Sequence, residues 1–307
     1  MIESAKNSTT PLFSIVIPVY NDWISLEQCL QSLARQSRTP DSEFSFEVIV
    51  VDDGSAEAAP QTICASNYSY PIKVIEQPHA GIPAARNRGA EASAGSVLLF
   101  VDADCKLRPN CLSILNATIT RQSQYDCFQL RLVGDCSNLI GRAEELRLTT
   151  LQNHLLQSDG RIRYLNTSGF AIRRTRVNIK AGVFDPLALR AEDTLLLVNL
   201  MQAGDLPLFV PDAIVEHVIN LSLLRCLRKD VQSAFLERRT HHIIAAKRMR
   251  IRVTHRERLQ LISEMWKASG LQSIGRLAWF VVMIRQALQR TLSLGLQYLE
   301  HPGTRAS

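Results

Sequence analysis

Eight residues, Val97-Leu98-Leu99-Phe100-Val101-Asp102-Ala103-Asp104, run from an unbroken apolar stretch straight into two carboxylates one residue apart. An apolar run of that length reads as a strand buried on both faces, and so as a central strand of a sheet covered by helices. In extended chain, residues i and i+2 face the same way, which puts Asp102 and Asp104 on one side just past the strand end. Two like charges that close repel each other, and a cation or hydrogen-bond donor between them relieves the repulsion. A D-x-D after a strand also serves as plain turn chemistry, so the rest of the chain has to decide.

Earlier segments build the same kind of strand. Phe13 to Tyr20 is a first strand, with Pro18, which lacks an N–H, expected to mark its end. A helix over Trp23 to Gln36 follows from Trp23, Leu26, Leu30 and Leu33 at helical spacing, capped by Asn21 or Asp22. Glu47 to Val51 is a second strand ending in Asp52-Asp53-Gly54-Ser55, Pro71 to Glu76 a third, and Gly81 to Ala94 a small-residue helix stopped by Gly95. Alternating strands and helices imply an α/β domain with a mostly parallel sheet, whose ligands bind beyond the carboxyl ends of the strands. Pro18, Tyr20 and Asn21, then Asp52 and Asp53, then Asp102 and Asp104 therefore converge on one sheet edge. A dinucleotide fold of the G-x-G-x-x-G type is excluded, because the loop after the first strand is Pro18-Val19-Tyr20-Asn21-Asp22. A P-loop is likewise absent, and a receiver domain would lack everything that follows Asp104.

Four segments, Ile15 to Asn21 (IVIPVYN), Val48 to Ser55 (VIVVDDGS), Gly81 to Gly89 (GIPAARNRG) and Leu98 to Asp104 (LLFVDAD), resemble in content and order the nucleotide-binding half of family 2 glycosyltransferases. The resemblance implies a GT-A fold: Rossmann-like α/β, a mostly parallel central sheet with flanking helices, here followed by a C-terminal helical extension. It implies that Pro18, Tyr20 and Asn21 line the donor nucleotide, with Tyr20 stacked on the base. Asp52 or Asp53 would meet the base or ribose, and Arg86 would clamp the diphosphate as a fork donor. Asp102 and Asp104 would hold Mg²⁺ or Mn²⁺, Asp102 also reaching the ribose; both are hard cations that favour oxygen ligands and bridge to phosphates.

Beyond Asp104, helices are expected over Leu107 to Arg121 and Arg142 to Gln157, and a strand over Cys127 to Val133. Leu165 to Arg174 resembles the family segment beneath the donor sugar, where Gly169 would allow close backbone approach. Glu192-Asp193, just ahead of an apolar helix over Thr194 to Ala203, resembles the family's E-D pair, which makes these the catalytic acids and Asp193 the general base. His217, ending a strand over Leu208 to His217, resembles a third metal ligand. No Q-x-x-R-W of processive members is present, so a single addition is favoured over polymerisation. The expected reaction is a metal-dependent, inverting transfer of one sugar from a nucleoside diphosphate donor (UDP- or GDP-sugar) to a glycan or lipid-linked acceptor hydroxyl. Cell-surface polysaccharide or glycolipid synthesis would use it. A nucleotidylyltransferase would need a Gly-rich, basic phosphate loop after Tyr20, which is missing; a non-catalytic sugar-nucleotide-binding protein is the alternative, and loss of the acids would mark it.

From this reading residues 1–10 form a disordered tail, 11–220 the GT-A domain (11–105 nucleotide-binding, 106–220 acceptor-binding), and 221–307 a basic helical region. Between Ser222 and Arg258 eleven Lys or Arg face three Asp or Glu, a local net of +8 in a chain of +6, which leaves −2 for the rest. No nucleic-acid-binding module accompanies this patch, so no nucleic acid partner is expected and an anionic membrane surface fits it. Helices are expected over Leu224 to Lys247, His255 to Ala268 and Leu271 to Leu299, either packing on the catalytic domain or lying on a membrane. Seven scattered cysteines, never at C-x-x-C spacing, argue against a zinc site or a disulfide framework. With a polar N-terminus, they place the protein in the cytoplasm, peripheral at most to the inner face of the plasma membrane.

Overall fold

The computed structural model describes residues 10–36, 44–64, 68–219, 222–246 and 253–300. The tail expected over residues 1–10 lies, but for Thr10, outside the described residues. The first half runs β1 (Phe13–Val19), α1 (Trp23–Ala34), β2 (Phe46–Asp52), α2 (Gln61–Cys64), β3 (Ile72–Glu76), α3 (Ile82–Ala92) and β4 (Val97–Phe100). The second continues with β5 (Cys105–Leu107), α4 (Cys111–Arg121), β6 (Cys127–Gly134), α5 (Leu139–Leu155), β7 (Phe170–Arg173), α6 (Glu192–Gln202) and β8 (Leu208–His217). Three helices close the chain: α7 (Leu223–Ala246), α8 (His255–Ala268) and α9 (Ser273–Glu300).

The strands form one sheet in the order β3-β2-β1-β4-β7-β6-β8-β5. It is parallel through β3-β2-β1-β4, as expected, while β7 is antiparallel to both β4 and β6 and β5 is antiparallel to β8. Alternation along β1 explains the two-sided core. Ile15 and Ile17 pack with Leu26, Leu30 and Leu33 of α1, whereas Val16 on the opposite face joins Ala90 of α3 and Leu197 and Leu200 of α6.

Several expectations are corrected. Strand β1 continues one residue past Pro18. Val16 turns its carbonyl toward β4, where it accepts from the Val101 N–H, so Pro18, two residues on, faces a side that β4 no longer occupies and the missing N–H costs no ladder bond. Asp22, not Asn21, caps α1, its Oδ1 accepting from the Ser25 N–H at 3.2 Å. Cys105–Leu107, expected to lead into a helix at Leu107, is instead the edge strand β5, and α4 begins only at Cys111. Helix α6 takes in Glu192 and Asp193 as its first turn rather than following them.

The C-terminal helices share a core with α5. Ile140 and Ala143 of α5 meet Cys226 of α7, Leu261 and Met265 of α8, and Ala278, Val281 and Val282 of α9. Among the described residues no helix is long and apolar enough to cross a membrane.

Candidate active site

The carboxyl edge of β1, β2 and β3 is stitched by side chains from its own loops. Asn21, held in the left-handed region at φ 54°, accepts from the Ala56 N–H at 2.7 Å and donates its backbone N–H to Ser55 Oγ at 2.8 Å, so the loops after β1 and β2 are tied together. Asp53 has both oxygens occupied by protein partners. Its Oδ1 accepts from the Ala80 N–H and the Gln77 amide, and its Oδ2 accepts from the Gly81 N–H and pairs with His79 at 2.9 Å. These bonds fix the loop that leads into α3 and place a carboxylate just ahead of its N-terminus, favourable for the helix dipole. Asp52 differs: Oδ1 accepts from the Ser55 N–H at 2.9 Å, and Oδ2 has no protein partner among the described residues. Asp52 therefore keeps an acceptor available and Asp53 does not.

Tyr20 is half exposed and lies against the His79 ring, centroids 4.4 Å apart and planes 29° apart. One face of the tyrosine is therefore covered by a residue outside the four sequence motifs. His79 lies just past the carboxyl end of β3, and the rule that led to the other three clusters would have found it. Gly54 links these loops at φ +79°, and a Cβ there would sit 2.7 Å from the His79 backbone nitrogen. Gly54→Ala is expected to cost about 1–3 kcal/mol from the backbone conformation alone; an unchanged urea midpoint would contradict this.

Arg86 departs most from expectation. It is 2% exposed on α3, with Nη2 donating to Asp102 Oδ1 at 2.6 Å and Nη1 to Glu192 Oε1 at 2.5 Å. Where the sequence reading put a diphosphate, the structure puts a carboxylate against each terminal nitrogen. Its Nε is buried with no hydrogen-bond partner among the described residues, and the group lies over the Phe184 ring at 5.6 Å. The bridge ties the D-x-D of one half to the E-D pair of the other, 106 residues apart in sequence for Arg86 and Glu192. Asp102 is further held by Ser168, whose hydroxyl donates to Oδ2 at 2.6 Å. Burial would raise the Asp102 carboxyl, but Arg86 and Ser168 together hold it below the usual carboxylate range.

Each oxygen of Asp102 thus accepts one hydrogen bond from the protein. Asp104 instead faces His217, with Oδ2 3.3 Å from Nε2. Strand β5 creates this meeting: Cys105 is paired with His217 across the antiparallel β5–β8 ladder, and the Asp104 carbonyl accepts from the Val218 N–H. Behind His217, Nδ1 lies 3.8 Å from Glu144 Oε1, and Glu144 is held by Arg147 and by Arg285 of α9 at 3.9 Å. Burial would lower the imidazole, but its hydrogen bond to Asp104 and the nearby Glu144 carboxylate outweigh that and raise it to about 10. A carboxylate and an imidazole side by side, the imidazole backed by a second carboxylate, would fit a Mn²⁺-type cation that displaces the imidazole proton. Among the described residues no third ligating side chain joins them. Glu144 and Ser168 carry no sequence signal of their own: Ser168 lies inside the segment that resembles the floor of the sugar site, whereas nothing about a glutamate in mid-helix marks it.

Glu192 is buried on Arg86 and acts on its neighbour. Burial and the adjacent Glu192 charge push the Asp193 carboxyl up to about 7, against the pull of the Thr194 N–H and Arg86. Asp193 remains partly exposed, and its Oδ1 accepts from the Thr194 N–H at 2.6 Å. Ala191, immediately before, is left-handed at φ 58°, a strained conformation for alanine that turns the chain into α6. Gly169 does not open space for a ligand: a Cβ there would meet Leu132 Cδ2 at 3.0 Å and Leu130 and Val215 at 3.4 Å, so the glycine serves packing on the sheet. Burial pushes the Cys29, Cys105 and Cys111 thiols up, which leaves none of them as a thiolate nucleophile.

Known proteins resemble this chain. The family model described as Glycosyl transferase family 2 matches residues 14–181. The putative glycosyltransferase EpsH of Bacillus subtilis (strain 168) is 36% identical over 104 residues, 33% of this chain and 28% of that protein. Glycosyltransferase AglE of Haloferax volcanii is 38% identical over 100 residues, 32% of each chain. The chain thus spans about a third of the length of these curated relatives. Among solved structures, mannosyltransferase PcManGT from Pyrobaculum calidifontis, in complex with GDP-Man and Mn²⁺, superposes with a TM-score of 0.60 at 13% identity over 94% of this chain and 88% of that one. S. aureus TarS 1–349 in complex with UDP-GlcNAc gives 0.55 at 18% identity over 96% and 93%. These likenesses establish a GT-A fold with added C-terminal helices.

Proposed function

The chain belongs to glycosyl transferase family 2, and on that premise we propose that it moves one sugar from a UDP- or GDP-sugar to an acceptor hydroxyl with inversion at the anomeric carbon. The observation that carries this reading is the Arg86 bridge, which holds the D-x-D and the E-D pair together and leaves Asp193 beside it with a carboxyl near neutrality. Residues 11–105 hold the donor and 106–220 the acceptor, with the basic region from 221 onward, helical over α7, α8 and α9, beside them.

Donor binding uses the carboxyl edge of the sheet. Tyr20 and its His79 partner offer an aromatic surface to the base, Asp52 offers its unpartnered oxygen to a base N–H or a ribose hydroxyl, and Asn21 keeps the two loops in register. Mg²⁺ or Mn²⁺ would be held by Asp104 and His217, and when bound it supplies positive charge against the leaving diphosphate. Asp193 takes the proton of the acceptor hydroxyl as that oxygen bonds to the anomeric carbon and the bond to the diphosphate breaks on the opposite face. Glu192 and Arg86 are positioning residues: they fix the first turn of α6, and the Glu192 charge keeps Asp193 basic enough to accept a proton at neutral pH. The acceptor is a glycan or lipid-linked hydroxyl of cell-surface polysaccharide or glycolipid synthesis. The basic C-terminal helices meet the anionic inner face of the plasma membrane.

Incubation with a panel of nucleotide sugars and Mn²⁺ tests the reading. Slow release of nucleoside diphosphate from one donor, lost on chelation of the metal, is the expected result; a protein that binds donors and turns over none is a binding protein instead. Metal binding has its own test. Glu144→Gln is expected to weaken Mn²⁺ binding by about 10- to 100-fold, because the carboxylate behind the imidazole orients it and raises its basicity. Asp104→Asn should abolish the metal dependence of nucleotide binding. Calorimetry with Mn²⁺ alone and with nucleotide measures both, and wild-type metal affinity in Glu144→Gln would remove Glu144 from this role.

A further inference from the structure

The exposed apolar side chains of this protein are concentrated at one place. Eleven of the sixteen large exposed hydrophobics among the described residues belong to the C-terminal helices and the turn between α8 and α9, a region that also carries the basic charge. Helix α9 is apolar on two faces. Ala278, Val281 and Val282 are buried in the core shared with α5 and α8, whereas Leu277, Phe280 and Ile284, at i, i+3 and i+7, form a second strip that is about half exposed. That strip is continuous with α8 through aromatic contacts. Trp266 meets Trp279 edge-on at 4.9 Å, and Trp279 meets Phe280 at 5.1 Å. At the turn between the two helices Leu271 is 95% exposed and Ile274 stands beside it. Exposed apolar side chains grouped in this way mark an interaction surface.

Its charge indicates what covers it. From Lys267 to Leu299 the chain carries Lys267, Arg276, Arg285 and Arg290 and no Asp or Glu. Arg285 is turned inward onto Asp230. Arg276 lies over the Trp266 ring at 3.4 Å and donates to the Trp266 carbonyl, so a cation is fixed at the edge of the aromatic cluster. A half-exposed tryptophan backed by a second one, a protruding leucine at a tight turn and a run of cations with no acid from Lys267 onward to Leu299 are the composition of a segment lying in the headgroup layer of an anionic bilayer. With no described helix able to cross a membrane, the arrangement is interfacial.

We propose that the α8–α9 corner is a membrane-docking wedge: Leu271, Ile274, Leu277, Phe280 and the Trp266–Trp279 pair enter the interface of an anionic bilayer, and Lys267, Arg276 and Arg290 supply its electrostatic attraction. The proposal rests on the membrane-surface reading above and narrows it to one corner. Core packing of the opposite face of α9 explains how the same helix both joins the catalytic domain and remains available to lipid.

The full-length protein is tested with vesicles of phosphatidylcholine alone and of phosphatidylcholine with phosphatidylglycerol, by flotation and by tryptophan emission. Binding to the anionic vesicles about tenfold or more tighter than to the neutral ones is expected from several cations, each giving roughly fivefold, with a blue shift as Trp266 and Trp279 leave water. Binding should weaken as salt rises toward 1 M, where the screening length falls to about 3 Å. Leu271→Glu with Phe280→Glu should lose anionic binding by more than about tenfold, since both side chains are removed from the interface. Donor hydrolysis in vesicle-free solution should be unchanged. Lys267→Gln with Arg290→Gln, at exposed positions, should lower the salt dependence while keeping the fold. If the glutamate variant binds vesicles like wild type, the wedge is wrong though membrane binding stands. Absence of any vesicle binding overturns both, and a concentration-dependent dimer broken by the same glutamates would assign the patch to a second copy of the chain.

Discussion

Asp193→Asn is expected to lower kcat by about 10²- to 10⁴-fold, the usual yield of a positioned general base, while leaving donor binding close to wild type. Asparagine keeps the shape of the side chain and can still accept from the Thr194 N–H, so the first turn of α6 survives and only the proton acceptor is lost. In the wild type, with the Asp193 carboxyl pushed up to about 7, kcat/KM should fall tenfold per pH unit below about 7 and level off above it. Stability moves the other way. The unfolded carboxyl titrates near 3.9, so between there and about 7 the folded state binds the extra proton and stability declines as pH rises. Asp193→Asn should therefore melt above wild type at pH 8, with the gap closing toward pH 4. Loss of activity accompanied by a lower melting temperature at pH 8 would mean that the substitution damaged the fold and that Asp193 pays no such cost for its role.

Arg86→Leu should be the most destabilising change in the catalytic half, by about 3–5 kcal/mol, because it leaves Asp102 and Glu192 with no compensating charge. Arg86→Lys should recover little, since a single ammonium cannot reproduce a fork that reaches two carboxylates at once. A pH series separates this from simple loss of packing. The Asp102 carboxyl is held below its usual range in the folded protein, so its contribution is full above the unfolded value near 3.9 and is lost as pH falls through the folded one. The gap between wild type and Arg86→Leu, read from urea midpoints, should therefore narrow below about pH 4. A gap constant with pH would place the cost in packing instead. Donor turnover should fall as well, because the bridge aligns Asp102 with the helix that carries Asp193.

Local pattern carries a large share of this protein. Strands β1, β2 and β4 announce themselves as apolar runs, and strand-end acids follow from the geometry of a covered parallel sheet. Elsewhere the local signal is too weak to decide: β5 is three residues long, and its strand character comes from pairing with β8 rather than from its own composition. Arg86 looks like a ligand clamp in sequence because a lone arginine on a helix gives no sign of its burial. Its two carboxylate partners come from different halves of the chain, and nothing in the sequence pairs them.

The opening segment shows the division most clearly. Sequence alone determined that Asp102 and Asp104 stand together past a buried strand, because side-chain alternation in extended chain is local and needs no partner. Only the tertiary structure decided that they part company, Asp102 turning to Arg86 and Ser168 and Asp104 to His217. Which carboxylate meets arginine and serine and which meets histidine depends on groups 16, 66 and 113 residues away, brought close by sheet order and by the β5–β8 ladder. Those are consequences of packing, and no local pattern contains them.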